Sequence, residues 1–124
     1  MKKLLLSFLL LTSLSFASKD GPAKATKILD AATTTATGDV FQPWGPQRTF
    51  FAYGSTSAGS GASVIAIQVS NDCTNYIEMG TISLTLGTST VSDGFASDAS
   101  WKCIRAKVNS ISGTNAAVTV WMAN

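Results

Sequence analysis

The chain has no histidine and few charged residues, and these two absences exclude most routes to catalysis and metal binding. Histidine is the commonest general base and the commonest metal ligand. Without it, a Ser-His-Asp triad cannot be assembled, and two cysteines alone cannot complete a tetrahedral zinc site. Charged residues make up 13% of the 124 residues, about half of their usual share. We therefore expect a protein that is not an enzyme and that has neither a cofactor nor a metal site.

Carboxylates are the remaining source of acid–base chemistry, and the chain has only seven. A hydrolase that uses carboxylates alone needs two of them about 5 to 10 Å apart across a cleft. Asp72 and Asp93 fall in predicted turns, where acids usually serve backbone geometry. Asp93 and Asp98 also lack the ligand set of a calcium-binding EF-hand. A carboxylate hydrolase is therefore the weakest of the functions that we consider.

Residues 1–17 have the three parts of an export signal. Lys2 and Lys3 precede an apolar run over residues 4–14, and small residues stand at Ser15 and Ala17, as signal cleavage requires. The run is too short for a membrane span, which needs about 20 apolar residues. The alternative is that this signal-like helix is retained. Cleavage would export the chain to the periplasm, the cell surface or the medium, with no stable membrane span.

The net charge of +2 depends on the same segment. Without Lys2 and Lys3, the basic and acidic residues balance, so the mature chain is close to neutral. A nucleic-acid-binding protein usually shows a basic patch. We expect no nucleic-acid partner.

Short apolar runs separated by turn residues predict an all-β domain over residues 28–124, after a polar linker at residues 18–27. Residues 57–61 (SAGSG) and 112–115 (SGTN) are predicted as a hairpin loop and a turn. About seven strands at this spacing favour a single antiparallel β-sandwich, immunoglobulin-like or jelly-roll-like. The predicted strands and short pieces cover residues 28–37, 39–42, 48–56, 62–70, 76–86 (kinked or divided at Gly80), 91–96, 101–110 and 116–122. Alternation places Ile104, Ala106 and Val108 on one face of their strand, and Val118, Val120 and Met122 on one face of the last.

Two cysteines and three tryptophans are the most distinctive candidate residues. Cys73 and Cys103 are 30 positions apart, and an exported chain would let them form a disulfide; two unpaired thiols are the alternative. Trp44, Trp101 and Trp121 are candidate surface contacts. Exposed together they would form a platform for carbohydrate, whereas buried or scattered rings would favour packing and assembly.

A turn rich in polar residues separates two strand-like runs at residues 70–75 (SNDCTN). Asn71, Asp72 and Asn75 can each bond to the neighbouring backbone and tolerate left-handed conformations. A tight connection between two buried strands needs those properties. We interpret the turn as structural, with ligand binding as the alternative.

Much of the chain resembles a group of small β-sandwich proteins from the structural genes of tailed phages. The resemblance rests on three segments in order: RTFFAYGSTSAGSGA, VIAIQVSNDCTNYIEMGTISLTLGT and SDGFASDASWKCIRAKVNSISGT. The phage sequences have VxVSNDGTNW-like and DGFxxxAPWxYVRA-like segments at the corresponding places. Cys73 stands where they usually have glycine, Cys103 near a usual aromatic residue, and Tyr76 where tryptophan is usual. The paired changes to cysteine favour the disulfide.

The resemblance implies a non-enzymatic structural or interaction module of the virion decoration type. Such a protein would act by self-association or by attachment to a capsid-like or tail-like assembly. Its location would be the virion, whereas the signal favours export. A secreted carbohydrate-binding or adhesion domain is the alternative function.

Overall fold

The computed structural model describes residues 24–43 and 48–123, and these residues form seven β-strands and no helix. The predicted signal-like helix, most of the predicted linker and Trp44 lie outside the described residues. No helix that could cross a membrane occurs among the residues described. The strands are β1 (Ala25–Ala32), β2 (Arg48–Ser55), β3 (Ala58–Ser70), β4 (Ile77–Leu86), β5 (Val91–Ser97), β6 (Cys103–Thr114) and β7 (Ala117–Ala123).

The strands form two antiparallel sheets, which confirms the predicted sandwich. Sheet A has the order β1-β7-β2-β5, and sheet B has the order β4-β3-β6. Residues 36–41 extend sheet B beyond β6, since the Phe41 and Ile104 backbones exchange two hydrogen bonds and the Gly38 N–H donates to the Ala106 carbonyl. If this segment is counted as an incomplete strand, sheet B has the order 36–41, β6, β3, β4, and sheet A has the order β1, β7, β2, β5. The first strand of the chain thus pairs with the last. That is the order of a jelly roll and differs from an immunoglobulin constant domain.

The core lies between the two sheets and follows the alternation of the strands. On β6 the residues predicted to share one face, Ile104, Ala106 and Val108, are all buried, and on β7 the same holds for Val118, Val120 and Met122. The other large, fully buried side chains of the core are Ile28, Phe50, Ile65, Ile67, Val69, Ile82 and Leu86.

The segments predicted as a hairpin loop (57–61) and a turn (112–115) are for the most part the paired ends of strands. Residues 58–61 begin β3 and residues 112–114 end β6, with Ala58 opposite Thr114 and Ala62 opposite Ser112. The hairpin prediction was also wrong because β2 and β3 belong to different sheets. The glycines reflect close backbone approach: a Cβ on Gly113 would meet the Cα of Gly61 at 3.1 Å.

Two further boundaries differ from the predictions. Residues 25–27, assigned to the linker, belong to β1, because Thr26 and Lys27 pair with Met122 and Trp121 of β7. The kink expected at Gly80 is a bulge rather than a break: Ile67 pairs with Gly80 and Gln68 with Glu78, which leaves one extra residue between them.

Candidate interaction surface

The outer face of sheet A carries a group of partly exposed aromatic side chains, which we call the aromatic face. It consists of Phe51 and Tyr53 on β2 and Trp121 on β7. Phe51 lies directly opposite Trp121 in the strand register, and the Phe51 and Tyr53 ring centroids are 5.9 Å apart. Phe51 is 46% exposed, one of the most exposed large apolar residues described. Three neighbouring rings therefore face solvent on one sheet.

A shallow apolar groove of about 300 Å³ lies beside these rings. Its walls belong to β1, β7 and β2, which are neighbours in sheet A in that order. Its lining residues are Ala25, Thr49, Phe51, Trp121 and Ala123. Thr49 supplies the only side-chain hydroxyl, so the groove suits an apolar group better than a polar one.

Lys27 supplies positive charge at the edge of the aromatic face. Its ammonium lies 5.4 Å from the Trp121 ring centroid and 3.2 Å from Asp30 Oδ1. Both interactions are exposed, so each contributes little to stability. The pair with Asp30 balances the charge, and the face as a whole is uncharged.

Adjacent phenylalanines explain how β2 supplies both core and surface. Phe50 is 1% exposed and stacks at 5.2 Å on the Phe95 ring inside the sandwich, whereas Phe51 points outward. Side chains alternate across a strand, so one of two successive aromatics must face out. Two successive phenylalanines inside a predicted strand therefore indicate that one of them is exposed. Phe51 could have been named as a surface candidate on that basis, although only the tryptophans were.

The tryptophans that the structure describes do not share a surface. Trp121 lies on the aromatic face, but Trp101 precedes β6 and packs against the core. Trp44 lies outside the described residues. The aromatic face therefore combines one predicted tryptophan with two β2 residues that were not predicted.

The polar turn after β3 is organised around Asp72. Its carboxylate accepts hydrogen bonds from the backbone N–H groups of Thr74 (2.9 Å) and Asn75 (2.8 Å), and from the Asn75 side-chain amide (2.7 Å). The Ser70 hydroxyl donates to the same carboxylate at 2.7 Å. The bonds from the Asn75 backbone, the Asn75 amide, the Thr74 backbone and Ser70 hold the pKa of Asp72 well below its usual range. Both oxygens thus serve the turn itself, which supports a structural role.

A disulfide between Cys73 and Cys103 joins this turn to the start of β6, as predicted. The Cα atoms are 5.4 Å apart, and neither cysteine of the chain is free. Cys73 has φ of +59°, in the left-handed region that glycine adopts most easily. A conformation suited to glycine is therefore occupied by a residue that is held through its side chain.

Polar contacts continue along the outer side of sheet B. Arg105 donates from Nε to Gln68 Oε1 at 2.8 Å, and its guanidinium lies 3.7 Å from the centre of the Tyr76 ring. Asn109 donates to Glu78 at 3.1 Å. Several polar side chains of sheet B therefore find partners on the sheet itself.

The carboxylates among the described residues are distributed over separate elements. Asp30 lies on β1, Asp72 in the turn, Glu78 on β4 and Asp93 on β5, where it accepts a bond from the Gly94 N–H. No group of three or more potential metal ligands occurs in the described part of the chain. The absence of catalysis stays a prediction.

Comparison with known proteins shows the fold. No family model matches the chain, and no curated protein matches it in sequence. Among solved structures, the SPBc2 prophage-derived protein YomS is similar at a TM-score of 0.52 and 18% identity, over 83% of this chain and 94% of that one. The PBSX exported protein XepA is similar at a TM-score of 0.50 and 9% identity, over 84% of this chain. This chain spans 37% of the length of XepA.

Proposed function

We propose that this chain is a non-enzymatic structural or interaction module of a phage-type assembly, and that it attaches through the aromatic face. The observation that carries the proposal is the exposure of Phe51 beside Trp121 and an apolar groove on one uncharged sheet face. Contiguous exposed apolar surface on a soluble protein usually marks an interaction site. The similarity to YomS supports the phage setting, because it covers nearly the whole of a protein described as prophage-derived.

Export is the proposed route, and two observations support it. The disulfide between Cys73 and Cys103 suits an oxidising compartment. The structurally similar XepA is described as an exported protein. Together with the signal-like residues 1–17, these features favour a component that acts outside the cytoplasm.

The experiment that tests attachment is fractionation of phage particles from cells that produce the full chain. Mass spectrometry should detect the chain in particles purified on a density gradient. The double variant Phe51→Ser/Trp121→Ser should be exported and folded, but lost from the particles.

A matched control removes apolar surface elsewhere. Val40 and Ile77 are 47% and 58% exposed and lie outside the aromatic face. The variant Val40→Ser/Ile77→Ser should therefore remain with the particles. Equal retention of both double variants, or absence of the wild-type chain from every particle fraction, would contradict the proposal.

Carbohydrate binding is the second candidate function, and the three neighbouring rings of the aromatic face favour it. Sugar sites combine aromatic stacking with side chains that bond to hydroxyl groups. Thr49 is the only such group among the groove-lining residues, which makes an apolar protein partner the better fit. Saturable binding of the purified protein to cellulose, chitin or peptidoglycan, abolished by Trp121→Ser, would favour the carbohydrate function instead.

A further inference from the structure

The free edge of β4 differs from the other sheet edges because a long part of it, residues 80–86, carries no feature that prevents pairing with another strand. β4 is the last strand of sheet B, and within the described residues its outer side has no neighbour in the sheet. Exposed edges are usually protected by charges, prolines, bulges or covering segments. Residues 80–86 (GTISLTL) have no charge and no proline. They therefore form an unprotected edge of seven residues.

The remaining edges each carry a protective feature. β1 has two register shifts and the Lys27–Asp30 ion pair. β5 carries Asp93 opposite the inward-facing Ala52, so a charge sits on the core side of that edge strand. Residues 36–41 cover β6 irregularly, through isolated bridges. Such devices normally block edge-to-edge association.

The pattern of residues 81–85, Thr-Ile-Ser-Leu-Thr, has the same polarity in both directions. Ile82 and Leu84 are buried in the core, whereas Thr81, Ser83 and Thr85 are exposed. An antiparallel copy centred on Ser83 would place Thr81 opposite Thr85, and Ser83 opposite its equivalent. Threonine pairs across strands are favourable, and no like charges would face each other.

The bulge beside Gly80 favours a pairing that is centred on Ser83. It ends the regular part of β4, since Ile67 pairs with Gly80 but Gln68 pairs with Glu78. The regular residues 80–86 have Ser83 at their midpoint. This register leaves Glu78, the only charge on β4, outside the paired segment.

We propose that β4 pairs with β4 of a second copy of this chain, in antiparallel register about a twofold axis at Ser83. The pairing would join two three-stranded sheets B into one continuous sheet. It is an isologous contact and therefore closes at two copies. It deepens the proposed function by naming a partner for self-association, and it leaves both aromatic faces free for attachment.

Cysteine cross-linking of the purified mature protein tests the register. Directly opposed residues of antiparallel strands have Cα atoms about 4.5 to 5.5 Å apart, within disulfide range. The variant Ser83→Cys should therefore give a covalent dimer on mild oxidation, seen on a non-reducing gel. Thr81→Cys alone and Thr85→Cys alone should give no covalent dimer, because each is displaced by four residues, about 13 Å, from its own equivalent. A mixture of these two variants should cross-link as heterodimers.

A charge variant tests the association without cross-linking. Native mass spectrometry should show a dimer for the wild type and a monomer for Ser83→Lys, which would place two ammonium groups face to face. Thr49→Lys, with the same added charge in the groove beside the aromatic face, should stay dimeric. A monomeric wild type, or a dimer that Ser83→Cys cannot cross-link, would overturn the proposal. Particle attachment through the aromatic face would remain a separate result in either case.

Discussion

The outer faces of the two sheets differ in where their side chains find partners. On sheet B, Arg105 bonds to Gln68 and stacks on Tyr76, and the adjoining turn is fixed by Asp72 and a disulfide. On sheet A, rings with an apolar groove beside them are left partly exposed. Contiguous exposed apolar surface usually marks an interaction site. The contrast between the two faces therefore supports the proposal that attachment uses sheet A.

The two faces of a single strand, β2, show the same contrast between packing and exposure. β2 gives Phe50 to the interior and Phe51 to the aromatic face. Similar side chains on neighbouring positions should thus have separable effects on stability and on attachment. The predictions below use such pairs, beginning with the largest expected effect.

Substitution of Phe50 by alanine should destabilise the protein by about 3–5 kcal/mol, because it leaves a cavity beside Phe95 in the core between the sheets. Phe51→Ala is the matched control and should change the free energy of unfolding by less than about 0.5 kcal/mol. Urea denaturation of both variants measures the difference. Equal losses would mean that the aromatic face is part of the stabilising core.

Removal of the disulfide should cost about 3–4 kcal/mol, since the bond closes a loop of 30 residues. The variant Cys73→Ser/Cys103→Ser should show this loss in urea denaturation. The variant Cys73→Gly/Cys103→Ser should recover about 1 kcal/mol of it, because glycine adopts the left-handed φ of residue 73 without strain. No difference between the two variants would show that the turn relaxes once the bond is gone.

Substitution of Gly80 by alanine should cost about 1–3 kcal/mol through overpacking. A Cβ at this position would lie 2.8–3.3 Å from three atoms of the Phe95 ring, which links β4 to β5. Gly87→Ala is the control, since a Cβ there would meet nothing within 4 Å. Thermal unfolding should separate the two variants, and equal melting temperatures would show that the Phe95 ring moves aside freely.

Alternation made most of the sandwich predictable from sequence. The inward set on β6 and β7 was correct because apolar and polar residues alternate there with period two. The hydrogen bonding of the polar turn was also accessible, since Asp and Asn bond to neighbouring backbone. These features depend on residues within one strand or one turn. The disulfide was predicted from the two cysteines and the export signal, although it joins separate elements.

Features that depend on long-range pairing were not predictable. Glycine at residues 61 and 113 suggests loops, but these two glycines let the ends of β3 and β6 approach closely. The start of β1 at Ala25 depends on β7, almost one hundred residues later in the chain. The aromatic face likewise requires β2 and β7 to be neighbours, which no pattern within either strand indicates.

The Asp72 turn gives the smallest of these effects and the most specific signature, a dependence on pH. Hydrogen bonds from Asn75, Thr74 and Ser70 lower the pKa of Asp72 in the folded protein, so the folded state favours the ionised carboxylate. The resulting stability is fully present above the unfolded pKa of about 3.9 and is lost as the pH falls through the lower folded pKa.

Asp72→Asn should therefore lower the urea midpoint at pH 5 to 8 by a constant amount, because the amide offers one acceptor oxygen and no charge. Below about pH 4 the difference from the wild type should shrink, since protonation then removes the advantage of the carboxylate. Asp93→Asn is the matched control: the Asp93 carboxylate accepts a hydrogen bond from the N–H of Gly94, its own neighbour, so the difference from the wild type should be smaller over the same range. A difference for Asp72→Asn that is independent of pH down to 2 would show that the turn depends on the shape of this side chain rather than on its charge. The pH at which the difference begins to shrink thus tests whether sheet B owes the order of this end to an ionised group.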